Sequence, residues 1–138
     1  MKRVVAAALF ALASLGTAEA GSFDRFDHGA VPLCDDPGVL SKIASRFHYA
    51  SHGAYQTFVS IEIIKKIHES AFKPGDPGLI DRRFCHGRAL LTDGTHPRVY
   101  YVIEERQGFA SIGWNVEFCL PGHDRWRVYD GWCRAVRP

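Results

Sequence analysis

Seven histidines and four cysteines are the residues of this chain with the widest chemical reach. His48 and His52 stand four apart, the spacing that puts two imidazoles on one helical face, as a metal site requires. The first helix is expected to end near Tyr49, which removes that geometry, and no H-E-x-x-H motif is present. Further ligands would have to come from His68, Glu69 or His86. Solvated surface histidines are the plainer reading, so no metal and no cofactor are assigned. His86 lies beside Cys85, and Glu104 and Glu105 close a later segment. These groups could support acid–base hydrolysis if the fold brought them together. No G-x-S-x-G, P-loop or dinucleotide fingerprint occurs, and no catalytic residue is assigned. Enzyme status stays open, with the balance against it.

The segment Arg125-Trp126-Arg127-Val128-Tyr129-Asp130-Gly131-Trp132 alternates cations with rings. Arginine and tryptophan are common interface anchors, and aromatic rings also stack on sugars. Arg125, Trp126, Arg127 and Trp132 are therefore the candidate binding residues. The competing reading is a last strand with its rings in the core and its arginines in water.

Cys34, Cys85, Cys119 and Cys133 have no C-x-x-C spacing, which argues against a redox motif or a zinc ribbon. In an exported chain an even count reads as two disulfides, with three possible pairings. Cys34 with Cys133 and Cys85 with Cys119 would tie both termini and join two strands. The exchanged pairings stay open, because the choice depends on a sheet register.

Export is the expectation from residues 1–20. Lys2 and Arg3 precede the apolar run Val4–Leu15, and Ala18-Glu19-Ala20 gives a small-x-small cleavage site. Residues 21–33 read as a flexible leader, and 34–138 as a single domain. The formal net charge of +2 is too small to mark a general nucleic-acid or membrane-surface binder. No apolar run is long enough to span a bilayer.

The elements that must position these residues follow from periodicity. Asp35 or Asp36 can cap a helix with Pro37 in its first turn, and Val39, Leu40, Ile43 and Phe47 give it an apolar stripe. That predicts a helix at about 37–49. Tyr55, Val59, Ile63, Ile67 and Ala71 recur every four residues and predict a second helix. The branched residues of Val59–Ile64 are the argument for a strand there instead. Lys73-Pro74-Gly75 stops the element. From Asp81 the period becomes two. Strands are expected at Arg83–Leu91, Arg98–Glu105, Phe109–Cys119 and Trp126–Cys133, joined by short turns.

Helices first and strands second make the class α+β: two N-terminal helices packed on a four-stranded antiparallel meander, disulfide-stapled. The expected core includes Ile63, Ile67, Val99, Tyr101, Ile103, Ile112, Trp114, Val116 and Phe118.

The segments RRFCHGRALLTDG, VYYVIEERQGFASIGWNVEFC and VYDGWCRAVRP resemble a group of small exported, four-cysteine proteins of alphaproteobacteria. The likeness runs from Cys34 to Pro138. It implies export, disulfides and an α+β fold, and it brings no catalytic residue. The leading expectation is an exported, non-enzymatic or inhibitor-like binding module, periplasmic or secreted. Its partner would be an envelope or foreign protein, or an anionic glycan, and not nucleic acid. A small histidine/carboxylate hydrolase is the alternative, with a periplasmic metal binder behind it.

Overall fold

The computed structural model describes residues 31–75 and 80–138. The expected signal peptide, and the leader up to residue 30, lie outside them. One helix and one sheet form the frame. Helix α1 (Pro37–His52) begins where Asp36 accepts hydrogen bonds from the Gly38 and Val39 amides, with Pro37 at its first position. Val39, Ile43, Phe47 and Ser51 form its buried stripe, one residue every four. Ser51 is satisfied by Thr57 and by the Val59 amide, and these bonds turn the chain back toward the sheet.

The sheet is an antiparallel meander of β1 (Ile61–Lys73), β2 (Arg82–Leu91), β3 (Arg98–Glu105) and β4 (Trp114–Cys119), in that order across it. β2 and β3 match the expected segments closely. The meander and the α+β class therefore stand, but two of its elements differ from expectation. The segment read as a second helix is strand β1. The segment Trp126–Cys133, read as the fourth strand, carries turns and the short 3-10 segment Gly131–Val136.

Both differences have local causes. β1 departs from simple pairing at three places. An extra residue enters at Glu62, at Lys66–Ile67 and at Ser70, where its register with β2 shifts. Ile61 and Ile64 face α1 and Ile67 packs against the same core, so the inward positions fall every three residues. Bulges thus give a strand a near-helical period. Ile63, expected in the core, pairs with Leu90 on the other face and is 44% exposed. In the last segment Asp124 accepts hydrogen bonds from the Val128 and Tyr129 amides, which diverts them from a ladder. Arg127, Asp130, Trp132 and Cys133 also take left-handed backbone conformations.

The third expected strand is also shorter. Phe109–Ser111 is a single 3-10 turn, Ile112 is exposed, and pairing starts at Trp114. Gly108 is required there, because a Cβ would fall 1.9 Å from the Ile112 carbonyl oxygen.

Each sheet face has its own core. Val39, Ile43 and Phe47 of α1 close over Cys85, Leu91, Val99, Tyr101, Ile103 and Val116. On the opposite face Cys133 and Val136 cover Phe84, Val102 and Cys119, with Tyr129 beside them. Trp114 and Phe118 are only half-buried. The disulfides serve one face each. Cys34 joins Cys85, fastening the start of α1 to β2, and Cys119 joins Cys133, fastening the C-terminal segment to β4. The pairing of Cys34 with Cys133 and Cys85 with Cys119 is therefore corrected: Cys85 and Cys119 point to opposite faces of the sheet. Tyr101, fully buried, donates a 2.6 Å hydrogen bond to the Cys34 carbonyl and pairs in register with Cys85.

Candidate functional site

The chain from Cys119 to Cys133 is a loop closed by a disulfide. Leu120 anchors its start in the core, and Asp124 organises its middle through the Val128 and Tyr129 amides. Held this way, the loop displays Trp126 (63% exposed), Val128 (63%) and Trp132 (80%). Burial of that much apolar surface by a partner is favourable, and the disulfide has already reduced the ordering cost.

Trp126 meets the Tyr55 ring edge-on, with centroids 5.0 Å apart. Between α1, β4 and this loop runs a cleft of about 240 Å³, lined by Phe47, Tyr55, Phe118, Leu120, Val128 and Tyr129 among others. Arg127 and Trp132 line a second, neighbouring hollow of about 310 Å³. Arg125 is exposed beside Trp126. The four residues singled out in the sequence therefore share one loop. They do not form a strand with a ring face and a cation face.

The polar groups at the first cleft satisfy one another. Arg46 donates to the Val116 carbonyl at 2.7 Å and to Asn115 at 3.0 Å, and it lies 3.7 Å from Glu117. Glu117 accepts from Asn115 and from the Tyr129 hydroxyl. Burial, and then the hydrogen bond to Glu117, push the Tyr129 hydroxyl well above its ordinary pKa. Burial, followed by the charge of Asp124, raises Tyr55 as well. Both phenols stay protonated at neutral pH. The cleft offers apolar walls, phenolic hydroxyls and a tied cation, an arrangement suited to a partner's apolar side chain.

The histidine candidates are placed differently. α1 runs to His52, beyond the expected end, so His48 and His52 do share one helix face and their rings stack at 3.9 Å. His48 Nδ1 is 2.9 Å from Ser60 Oγ, and His52 Nδ1 donates to the His48 carbonyl. Among the described residues, no group of three or more histidine, cysteine or acidic side chains gathers at a possible metal position.

His86 faces His68 across β1 and β2, with ring centroids 5.5 Å apart, and its Nδ1 is 2.8 Å from Ser70 Oγ. The carboxylates considered as partners for it are engaged elsewhere. Glu104 pairs with Arg82 at 2.7 Å, and Glu105 lies 3.6 Å from Arg106. Both disulfides are formed, so neither pair supplies a thiolate.

Tyr55, Val128 and Tyr129 were absent from the sequence-derived site. In the sequence Tyr55 falls in the expected second helix, and Val128 and Tyr129 in the expected last strand. Only the Asp124 side chain, which can hold a local turn, hinted otherwise. Comparison of the chain with protein-family models, with curated proteins and with solved structures finds no match.

Proposed function

We propose that this protein is an exported, disulfide-stapled binding module, periplasmic or secreted, whose Cys119–Cys133 loop docks on a protein of the cell envelope or on a foreign protein. The observation that carries the reading is the display of Trp126, Val128 and Trp132 on a loop closed by a disulfide and ordered by Asp124. Exposed rings on a preordered loop are the usual anchors of protein recognition. Export draws on the positive, apolar and small-residue regions of residues 1–20, and two disulfides suit an oxidising compartment. The histidine/carboxylate hydrolase has less support, because Glu104 and Glu105 are engaged away from His86.

The test is affinity capture from envelope extract with the mature chain and with a Trp126→Ser, Trp132→Ser double variant of matched fold and disulfide content. The expected result is a discrete partner held by the first and lost by the second. Capture of the same partner by both would remove the loop from the interface.

A further inference from the structure

A second surface lies on the sheet face turned away from α1, beyond the cover supplied by Cys133 and Val136. Across this face Lys65, Arg88 and Arg98 stand in one row of the ladder, and His68, His86 and Tyr100 in the next. Lys65, Arg88 and Arg98 are exposed, and among the described residues none of them is ion-paired. Neither row contains a carboxylate. Beside them lies a hollow of about 280 Å³, lined by Lys65, Lys66, Arg88, Leu90 and His96. A cluster of unpaired cations is costly by self-repulsion unless an anion answers it.

We propose that this face binds an anionic glycan bearing sulfate or phosphate groups, with Lys65, Arg88 and Arg98 as fixed cations and His86, beside His68, as a proton-dependent one. The row crosses three strands, about 10 Å. That is longer than one sulfate or phosphate, and it suits successive charges along a chain. Base stacking is poorly served here: the one phenol ring in these rows, Tyr100, has the Arg137 guanidinium over it at 4.9 Å, and the His68 and His86 rings face each other. This surface is separate from the Trp126 loop, so it stands or falls independently of the protein-docking reading.

The histidines add a direction with pH. His86 is surrounded by His68 and Ser70 from β1 and by Arg98 and Tyr100 from β3, with Arg137 beyond the tyrosine. Burial, then the positive charges of His68 and Arg98, hold its pKa below the ordinary imidazole value. A bound anion opposes those charges. Binding must therefore raise the His86 pKa, and by linkage it must tighten as pH falls.

The experiment titrates the mature protein with a heparin-derived hexasaccharide at about pH 7.5 and about pH 5.5, following His86 by NMR. A Lys65→Gln, Arg88→Gln variant and a Lys42→Gln variant, altered on the helix, are titrated in parallel. A single-stranded oligodeoxynucleotide and phosphatidylglycerol vesicles serve as competing anions. The expected results are tighter binding at the lower pH, a raised His86 pKa in the complex, and affinity about tenfold weaker in the double variant alone. The proposal is overturned by absence of binding, by equal loss in the Lys42→Gln variant, by a pH trend in the other direction, or by preference for the oligonucleotide or the vesicles. The pH trend and the His86 shift are read in the unmutated chain, so the test survives a variant that fails to fold.

Discussion

His68 sits beside His86, with rings 5.5 Å apart, because β1 carries one extra residue between Lys65 and His68. Lys66 and Ile67 together oppose only Gly87. Without that bulge the alternation of a strand would turn His68 toward the helix and Ile67 away from it. Gly87 is the residue that accommodates the bulge. A Cβ at this position would lie 3.1 Å from both the Lys65 carbonyl oxygen and Ile64 Cγ2.

Gly87→Ala should therefore destabilise the fold by about 1–3 kcal/mol, through crowding of a packed strand pair. Urea unfolding followed by circular dichroism measures this. The His68–His86 nuclear Overhauser contacts should weaken in the same variant. Full stability with unchanged histidine contacts would mean that the bulge does not depend on Gly87.

The depressed His86 pKa predicts a pH-dependent contribution to stability. The folded state holds the proton less well than the unfolded chain, whose pKa is about 6.5. The contribution is complete above that value and is lost as pH falls through it toward the folded pKa. Unfolding free energy should decline over this window, and His86→Gln should flatten the decline. His68→Ala removes one opposing charge and should move the His86 titration upward in NMR. An unchanged titration would exclude His68 as a cause.

The two disulfides close loops with sequence separations of 51 and 14. Chain-entropy reasoning assigns about 4 kcal/mol to the first and about 3 kcal/mol to the second. Double Cys→Ser variants, one pair at a time, should lose stability in that order. Peptide mapping without reduction should recover Cys34 with Cys85 and Cys119 with Cys133. Recovery of a Cys34–Cys133 peptide would contradict the two-face arrangement.

Core and loop substitutions should separate cleanly. Ile43 is fully buried under the helix stripe, so Ile43→Ala should cost about 2–5 kcal/mol. Trp132 is 80% exposed, and Trp132→Ser should shift stability by no more than about 0.5 kcal/mol. Arg125→Glu with Arg127→Glu should likewise leave the fold intact while removing partner capture, since both side chains are exposed. A large loss of stability in either loop variant would assign the loop to structure in place of recognition.

The legible parts of the fold are those whose local signals agree. α1 combined an Asp36 cap, Pro37 and a stripe of apolar residues, and it formed as expected except for three further residues at its end. β2 and β3 pair in unbroken register and were readable. β1 was not, because three bulges stretched its inward spacing to the three-residue step of Ile61, Ile64 and Ile67. The last segment alternated like a strand, yet Asp124 captured its amides. Cysteine pairing depends on which sheet face each residue occupies, and so on a register that sequence does not print. Of the candidate site, Trp126 and Trp132 were named from the sequence and are exposed, whereas Tyr55 meets Trp126 through tertiary packing alone.

The central claim is that the Cys119–Cys133 loop meets a protein partner outside the cytoplasm. Its most direct test replaces Trp126 with a photo-crosslinking amino acid that keeps an aromatic ring, in the full chain expressed in its native host. The same residue is placed at exposed Glu62 for comparison. Ultraviolet irradiation should give one discrete protein adduct from position 126, on a chain already cleaved after Ala20, and none from position 62. No adduct at 126, or the same adducts from both positions, would contradict the account.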